Sequence, residues 1–568
     1  MKGNPFVSYL EQFNILSPNH SKIYDEYTHG DEEFHYELKV DTKIEKHLID
    51  IFQTEPRSII LTGNAGDGKT RLCRVVYDQL STQNLLKWPP EGIVEVELPN
   101  GILRIVKDLS ELRDDVIERE LTNLQEYIAS NHKDKVYYLI AANEGKLTKF
   151  LSQNDKLSFL RNEVKDRFST HEKNNHIFSI YNLLNVTSSV YVEKVLQGWN
   201  NEENWKVCAQ CSRNNNCVIY LNHERTSEDY IQKRLVEQYR LLDFLDTHIT
   251  IREMLIHISY ILTGGYTCKD VMNATPQQLL EQSKRVYYQN FYGHDCLSDK
   301  LSEMRAVKLF QELNPGDSSI SAIDDFIING DICGDSGLEN LHEQMFSSDL
   351  DMQFGYFKKN LVLYRDHNNE SGDSIVNFWI NKLRRKLYFE VPTNYFVERT
   401  DMLPFKFVDN YQEIFGNKIK QQRIIKNLLN GLNRAFTKKL TERNGKLYVA
   451  NENLLISDMF TPGRRNEVQL IQDSDREDLD YISSKYFLLI NNSIKLPINL
   501  AMFEYLLRLS SGDLFHILKE DVDILIDTFK NELIQQSEPN GYSLDIFKLD
   551  KESGLYIEAT IDLPEEVN

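Results

Sequence analysis

A lysine and a threonine closing an eight-residue run with three glycines form a pattern that can hold phosphates. Gly63-Asn64-Ala65-Gly66-Asp67-Gly68-Lys69-Thr70 fits the spacing G-x-x-x-x-G-K-[ST] at every fixed position. Glycines permit backbone torsions that turn successive N–H groups inward, and a helix starting at the same point adds its partial positive charge. Lys69 should then reach the β- and γ-phosphates of ATP, with GTP as the alternative, and the Thr70 hydroxyl should ligate Mg²⁺. The bland reading is a glycine-rich turn that binds nothing.

The flanking elements favour the phosphate loop. Ser58-Ile59-Ile60-Leu61-Thr62 reads as a buried parallel strand, and Arg71 to Leu80 reads as a helix with Leu72, Val75, Val76 and Leu80 on its apolar face. A hairpin should follow, Ile93 to Leu98 returning as Ile102 to Val106 around an Asn100-Gly101 turn. The return strand ends in Lys107-Asp108-Leu109-Ser110-Glu111. Asp108 stands where a Walker B carboxylate holds the Mg²⁺ shell, and Glu111 is a candidate for polarising the attacking water. Asp108-x-x-Glu111 also reads as a capping box opening a helix with Ile117, Leu121, Leu124 and Ile128 on one face. Lys135 to Ala142 is a further buried strand, ending in Asn143-Glu144-Gly145. Asn143 and Glu144 are candidates to orient the lytic water, as sensor 1 does in AAA+ ATPases; the alternative makes Asn143 a turn residue. With Ile177 to Tyr181 as another strand, the expected fold is an α/β P-loop NTPase with an AAA+-like αβα core. Arg161 and Arg167 are candidates to act in trans on a neighbouring subunit, and Arg252 is a candidate sensor 2; each also reads as a surface arginine.

Cys208-Ala209-Gln210-Cys211, then Cys217 and His223, give C-x₂-C-x₅-C-x₅-H. Three soft ligands and an imidazole in sixteen residues suit a tetrahedral structural Zn²⁺ in a small knuckle; free thiols on a polar loop are the alternative. His223 is the least secure of the four, and an iron–sulfur cluster is a remote option. Cys73, Cys268, Cys296 and Cys333 are scattered and read as ordinary thiols.

The 568 residues imply about three or four domains, and 41% hydrophobic with 11% aromatic content excludes a mostly disordered chain. No run of about eighteen apolar residues or apolar leader occurs, so a cytoplasmic protein without membrane contact is expected. Residues 1–50 read as a helical extension, 51–200 as the NTPase core and 201–226 as the Cys-rich metal-binding insertion. Residues 227–340 read as a helical lid, 341–450 as a basic, mainly helical domain and 451–568 as an α+β domain. The run from Asp324 to Asp351 reads as loop or linker. A net charge of −21 disfavours a whole-surface DNA binder. Lys382 to Lys446 nevertheless holds fifteen Lys/Arg against six Asp/Glu, with Trp379, Tyr388, Phe389 and Phe436 interleaved. That composition could track DNA, dock an acidic partner, or be a solvated face.

Several segments together resemble the DptF family, the ATPase-like component of the bacterial DNA phosphorothioation-dependent restriction system. They are the 63–70 loop, Val106 to Glu111, Ala142 to Gly145, the Cys208/Cys211/Cys217 knuckle and Leu428-Leu429-Asn430-Gly431-Leu432-Asn433-Arg434. Leu496-Pro497 and Phe503-Glu504-Tyr505-Leu506-Leu507 complete the likeness, which covers Ser58 to Leu507 in patches. It implies an ATP-consuming subunit with DptG- and DptH-like partners, acting in anti-phage restriction of DNA that lacks the modification and carrying no nuclease of its own. A homo-oligomer is compatible with it. The rival readings are a STAND-like nucleotide switch and a non-hydrolysing assembly scaffold.

Overall fold

A computed structural model describes residues 3–16, 42–83, 85, 88–293, 304–347, 349–365, 372–392, 399–414, 418–437, 449–450, 454–456, 468–474, 476–490, 492–513, 520–536, 543–553 and 556–562. The chain divides into two compact units. One comprises 1–240, 248–397 and 476–482, and the other 241–247, 398–475 and 483–568.

In the first unit five strands form one sheet: β1 (Ser58–Thr62), β2 (Ile93–Leu98), β3 (Gly101–Val106), β4 (Val136–Ala142) and β5 (Phe178–Asn182). Their order is β2-β3-β4-β1-β5, with β3, β4, β1 and β5 parallel and β2 antiparallel to β3. All five residues of β1 are buried, as its unbroken apolar run requires for a central strand covered on both faces. The β2–β3 hairpin turns on Pro99-Asn100, since Leu98 pairs with Gly101. Two layers of core result. One face packs α2 (Lys43–Thr54) and α3 (Lys69–Leu80) through Leu48, Phe52, Leu72, Cys73 and Val76. The other packs α4 (Asp114–Ala129), α5 (Glu144–Gln153) and α6 (Ser158–Ser169) through Ile117, Leu121, Leu124, Leu147 and Leu160. On α3 the buried face runs through Cys73 and Tyr77 as well as Leu72 and Val76, while Val75 is only half-buried.

Helices follow the sheet in the same unit. They include Ser188–Trp199, Glu202–Ala209, Val218–Ser227 and Ile251–Thr263, the last closed by Gly264 in the left-handed region at φ 60°. The run expected to be a linker holds two helices instead, Ser321–Asn329 and Ser336–Met345. Its acidic residues hide the helical spacing of Ile323, Phe326 and Ile327, then of Leu341 and Met345, all buried. Among the described residues no helix is long and apolar enough to cross a membrane.

The first cluster of the basic stretch, Lys382 to Lys386, is not a cationic surface. Within helix Gly372–Glu390, Lys382, Arg384, Arg385 and Lys386 are all buried. Lys382 donates to the Asp351 carbonyl at 2.7 Å, Arg384 grips Asp324 with two 2.7 Å bonds, Arg385 donates to Asn314 Oδ1 at 2.9 Å, and Lys386 pairs with Asp351. Trp379, Tyr388, Phe389 and Phe436 are buried too, so they offer no stacking platform for bases. Asp324 and Asp351, distant in sequence, pair with Arg384 and Lys386, while Lys382 and Arg385 are met by a carbonyl and by side-chain amides. Lys420, Arg423 and Lys426 are exposed, whereas Lys438, Lys439 and Lys446 lie outside the described residues.

The second unit has an antiparallel sheet of Val468–Gln472, Tyr486–Ile490 and Ile494–Ile498, and a second sheet that includes the expected hairpin, Ser543–Leu549 with Tyr556–Asp562. Helices Lys418–Thr437 and Leu500–Ser511 cross at Gly431, where any Cβ would collide with the Leu506 carbonyl. Arg434 donates to the Leu509 carbonyl beside that crossing. The Gly431-Leu432-Asn433-Arg434 segment is therefore a helix-packing motif.

Candidate functional site

The parallel register decides what meets at the carboxyl edge of the sheet. Thr62 lies opposite Ala142 on one side and Asn182 on the other, so Gly63 leaves β1 beside Asn143 and Glu144. Val106 lies opposite Ile140, which carries Asp108 to the same edge. The loop itself turns through Gly63, Gly66 and Gly68 at φ 147°, 99° and 80°, torsions that L side chains disfavour. Gly68 then caps α3, and Lys69 and Thr70 form its first turn.

Lys69 is buried and donates to the Gly63 carbonyl at 2.9 Å and the Asn64 carbonyl at 2.6 Å. Burial pulls its ammonium below the ordinary value, against the opposing pull of the Asp67 and Asp108 carboxylates. Arg252 adds a smaller lowering push, so its charge too bears on Lys69. Asp67 Oδ2 accepts from the Asn64 N–H at 2.6 Å, curling a carboxylate back into the loop, and Asp67 Oδ1 meets His248 Nε2 at 2.8 Å.

A second helix start faces the loop. Thr250 and Glu253 form a reciprocal capping box at the head of helix Ile251–Thr263. The Arg252 N–H donates to the Gly66 carbonyl at 3.1 Å, and a Cβ on Gly66 would lie 3.1 Å from Thr250 Oγ1. Gly66 is thus needed both for its torsion and for this close approach. The capping box is legible in the sequence, but its contact with a loop some 185 positions earlier carries no local signal; nor does the His248 contact.

Asp108 is half-buried and accepts from Ser110 N–H at 2.7 Å, capping a short 3₁₀ turn at Leu109–Glu111. The long helix starts only at Asp114, with no side-chain cap, so the reciprocal box with Glu111 does not form there. Glu111 is exposed and paired with Lys107 at 2.9 Å. Asn143 caps α5 through Lys146 N–H at 3.3 Å, and Glu144 Oε2 accepts from Asn182 Nδ2 at 3.3 Å. Asn182 is a residue at this edge that sequence reasoning did not single out. Thr62 Oγ1 and Ser110 Oγ are buried without a hydrogen-bond partner among the described residues, as polar atoms suited to a further ligand or water would be. The groups suit a phosphate with a divalent cation: a glycine loop at the start of α3, a buried ammonium, the Thr70 hydroxyl and a half-buried carboxylate.

Arg167 is buried, donates to the Phe178 carbonyl at 3.1 Å and pairs with Glu163, so it ties α6 to β5 and cannot reach another subunit as placed. Arg161 is turned to the Asn154 carbonyl and Asp155.

Around the cysteines, Cys208 is buried, and Cys211 and Cys217 are half-buried. His223 is stacked on Trp205 at 4.2 Å between ring centres, with Nδ1 3.0 Å from Ser227 Oγ and 3.2 Å from Asn200 Oδ1. Cys268, expected to be an isolated thiol, lies near this cluster, while Cys296 falls outside the described residues. Among the described residues no three Cys, His, Asp or Glu side chains stand together as a ready-made metal site. Comparison of the chain with family models, curated proteins and solved structures found no match in any of the three.

Proposed function

We propose that this chain is a P-loop ATPase of the AAA+ type, holding ATP and Mg²⁺ on residues 63–70 and hydrolysing it. One observation carries the reading: a glycine loop, a buried lysine, Asp108 and the Asn143–Glu144 pair converge at one sheet edge. The loop amides, Lys69 and Thr70 would hold the triphosphate, with Asp108 at the cation. Lys69 would exchange its two carbonyl partners for phosphate oxygens. Mg²⁺, when bound, neutralises the charge that develops on the phosphoryl oxygens. Asn143 and Glu144 stand at the strand tip from which an attacking water could be oriented. The resemblance to DptF supplies the setting: an ATP-consuming subunit of an anti-phage restriction complex, with DptG- and DptH-like partners, acting on DNA without phosphorothioate.

A second reading has one observation in its favour. Glu111 is held by Lys107 in solvent, which leaves Asp108 without an adjacent carboxylate to polarise water. A STAND-like switch with slow turnover, or a non-hydrolysing scaffold, would follow. Steady-state phosphate release with and without DNA separates them. Fast, DNA-stimulated release supports the ATPase; slow release unchanged by DNA supports the switch; none supports the scaffold. In the ATPase, Asp108→Asn should keep ATP binding and lose Mg²⁺-dependent turnover by about 100-fold, since metal-borne charge stabilisation is worth several kcal/mol. Normal turnover in Asp108→Asn would reduce Asp108 to a cap.

A further inference from the structure

Gly66, Asp67 and Gly68, consecutive in the loop, all lie against one short segment, His248 to Arg252. The Arg252 N–H donates to the Gly66 carbonyl at 3.1 Å. An added Cβ on Gly66 would come 3.1 Å from Arg252 Cβ, and one on Gly68 would come 3.4 Å from Ile251 Cδ1. Between these two contacts stands one made by side chains. Asp67 is only 2% exposed, and its carboxylate oxygens have different partners. Oδ2 accepts from the Asn64 N–H at 2.6 Å, and Oδ1 lies 2.8 Å from His248 Nε2. An ionised carboxylate only accepts, so Nε2 carries the hydrogen. The Asp67 N–H donates in turn to the Asn64 carbonyl at 3.3 Å, so Asp67 fastens the loop to Asn64 twice. Gly63 leaves room for this, since a Cβ there would come 2.8 Å from Asp67 Oδ2.

We propose that His248 is a positioning residue for the phosphate loop: by holding Asp67 Oδ1 it keeps Oδ2 on the Asn64 amide, and so sets how tightly the loop grips ATP. The inference rests on the reading of residues 63–70 as a nucleotide site, and adds to it a side chain that acts through Asp67. Lys69 is the group at stake. It donates to the Gly63 and Asn64 carbonyls at the same end of the loop, and Asp67 is the carboxylate that bears on its ammonium most strongly. A buried carboxylate beside a phosphate site is tolerable while both its oxygens are engaged elsewhere. Without the histidine, Oδ1 would be left buried and unpartnered, at a cost in free energy until the carboxylate turns. Turning takes Oδ2 off the Asn64 amide. The loop is then unfastened, and Asp67 competes with phosphate for Lys69. A loop fastened beforehand also loses less conformational freedom when the ligand binds.

The test is the dissociation constant of ATP with Mg²⁺, measured on the full chain and its variants beside their unfolding temperatures. His248→Leu keeps the bulk and loses the donor, and should weaken ATP about tenfold, as expected for losing a hydrogen bond to a charged group. His248→Gln, whose amide still donates, should bind close to wild type. In an Asp67→Ala background His248→Leu should change nothing further, because the group it acts through is gone. A histidine that only supports the fold would lower the unfolding temperature of His248→Leu and leave its ATP affinity at the wild-type value, which would overturn the proposal. Equal weakening in His248→Leu and His248→Gln would overturn it too, as would an effect of His248→Leu that survives in Asp67→Ala. Wild type that binds ATP no better than His248→Leu ends this inference alone. Wild type that binds no ATP ends the nucleotide reading and this inference with it.

Discussion

Wedged against Phe291 and stacked on Phe310, the His257 ring has no contact with water. Its Nε2–H donates to the Phe291 carbonyl at 2.9 Å, and in the neutral ring that leaves Nδ1 to accept from the Tyr239 hydroxyl at 2.6 Å. Burial drags its pKa down to about 4. In the unfolded chain the same group titrates near 6.5. A depressed folded value means that this stability is complete above about pH 6.5 and is lost as pH falls toward 4. Between pH 7 and pH 5 the loss should be about 2 kcal/mol. Urea unfolding at the two pH values should show a drop of that size that is smaller in His257→Gln. Equal drops in both proteins would show that carboxylates elsewhere set the acid sensitivity. At this scale the sequence was readable wherever a motif fixes several positions at once, as along Gly63 to Thr70. It was silent on His248, Asn182 and Cys268, whose partners lie far away along the chain.

At the scale of elements, helix Gly372–Glu390 shows why composition misleads. Counting charges predicts a cationic surface, yet the four basic residues from Lys382 to Lys386 point into the protein. Burial would push the Asp351 carboxyl up, but Lys386, Lys382 and Arg225 outweigh it and hold it below the usual carboxylate range. Breaking such a pair strands a charge in the interior. Lys386→Ala should therefore cost about 3–5 kcal/mol in unfolding free energy, and adding Asp351→Asn should recover part of it. A Lys386→Ala variant as stable as wild type would mean that the Asp351 site admits water. The core elements, by contrast, were legible. Periodicity placed β1, the hairpin, β4 and the face of α4, because an unbroken apolar run and a 3.6-residue stripe each admit one burial solution. Helices Ser321–Asn329 and Ser336–Met345 escaped because their acidic exposed faces and glycines imitate a linker. The three-stranded sheet of the second unit escaped because Val468–Gln472 and Ile494–Ile498 are short and widely separated.

As a whole the molecule carries −21 charges, so its mean field repels a polyphosphate. The proposed binding of ATP then depends on a local field within about 8 Å, the screening length at physiological salt. The 63–70 loop has the sources: the start of α3, the start of helix Ile251–Thr263, Lys69 and Arg252. Asp67, within the loop, and Asp108, proposed to meet the cation, work against them, so ATP affinity should depend on Mg²⁺. Titration calorimetry of the whole chain with ATP, with and without Mg²⁺, and repeated on Lys69→Ala, is the most direct test. The expected result is about one ATP per chain with Mg²⁺, and an affinity some 10- to 100-fold weaker in Lys69→Ala, the worth of a charge-assisted hydrogen bond. Wild type that binds no ATP in the presence of Mg²⁺, or a Lys69→Ala variant that binds it equally well, would contradict the account.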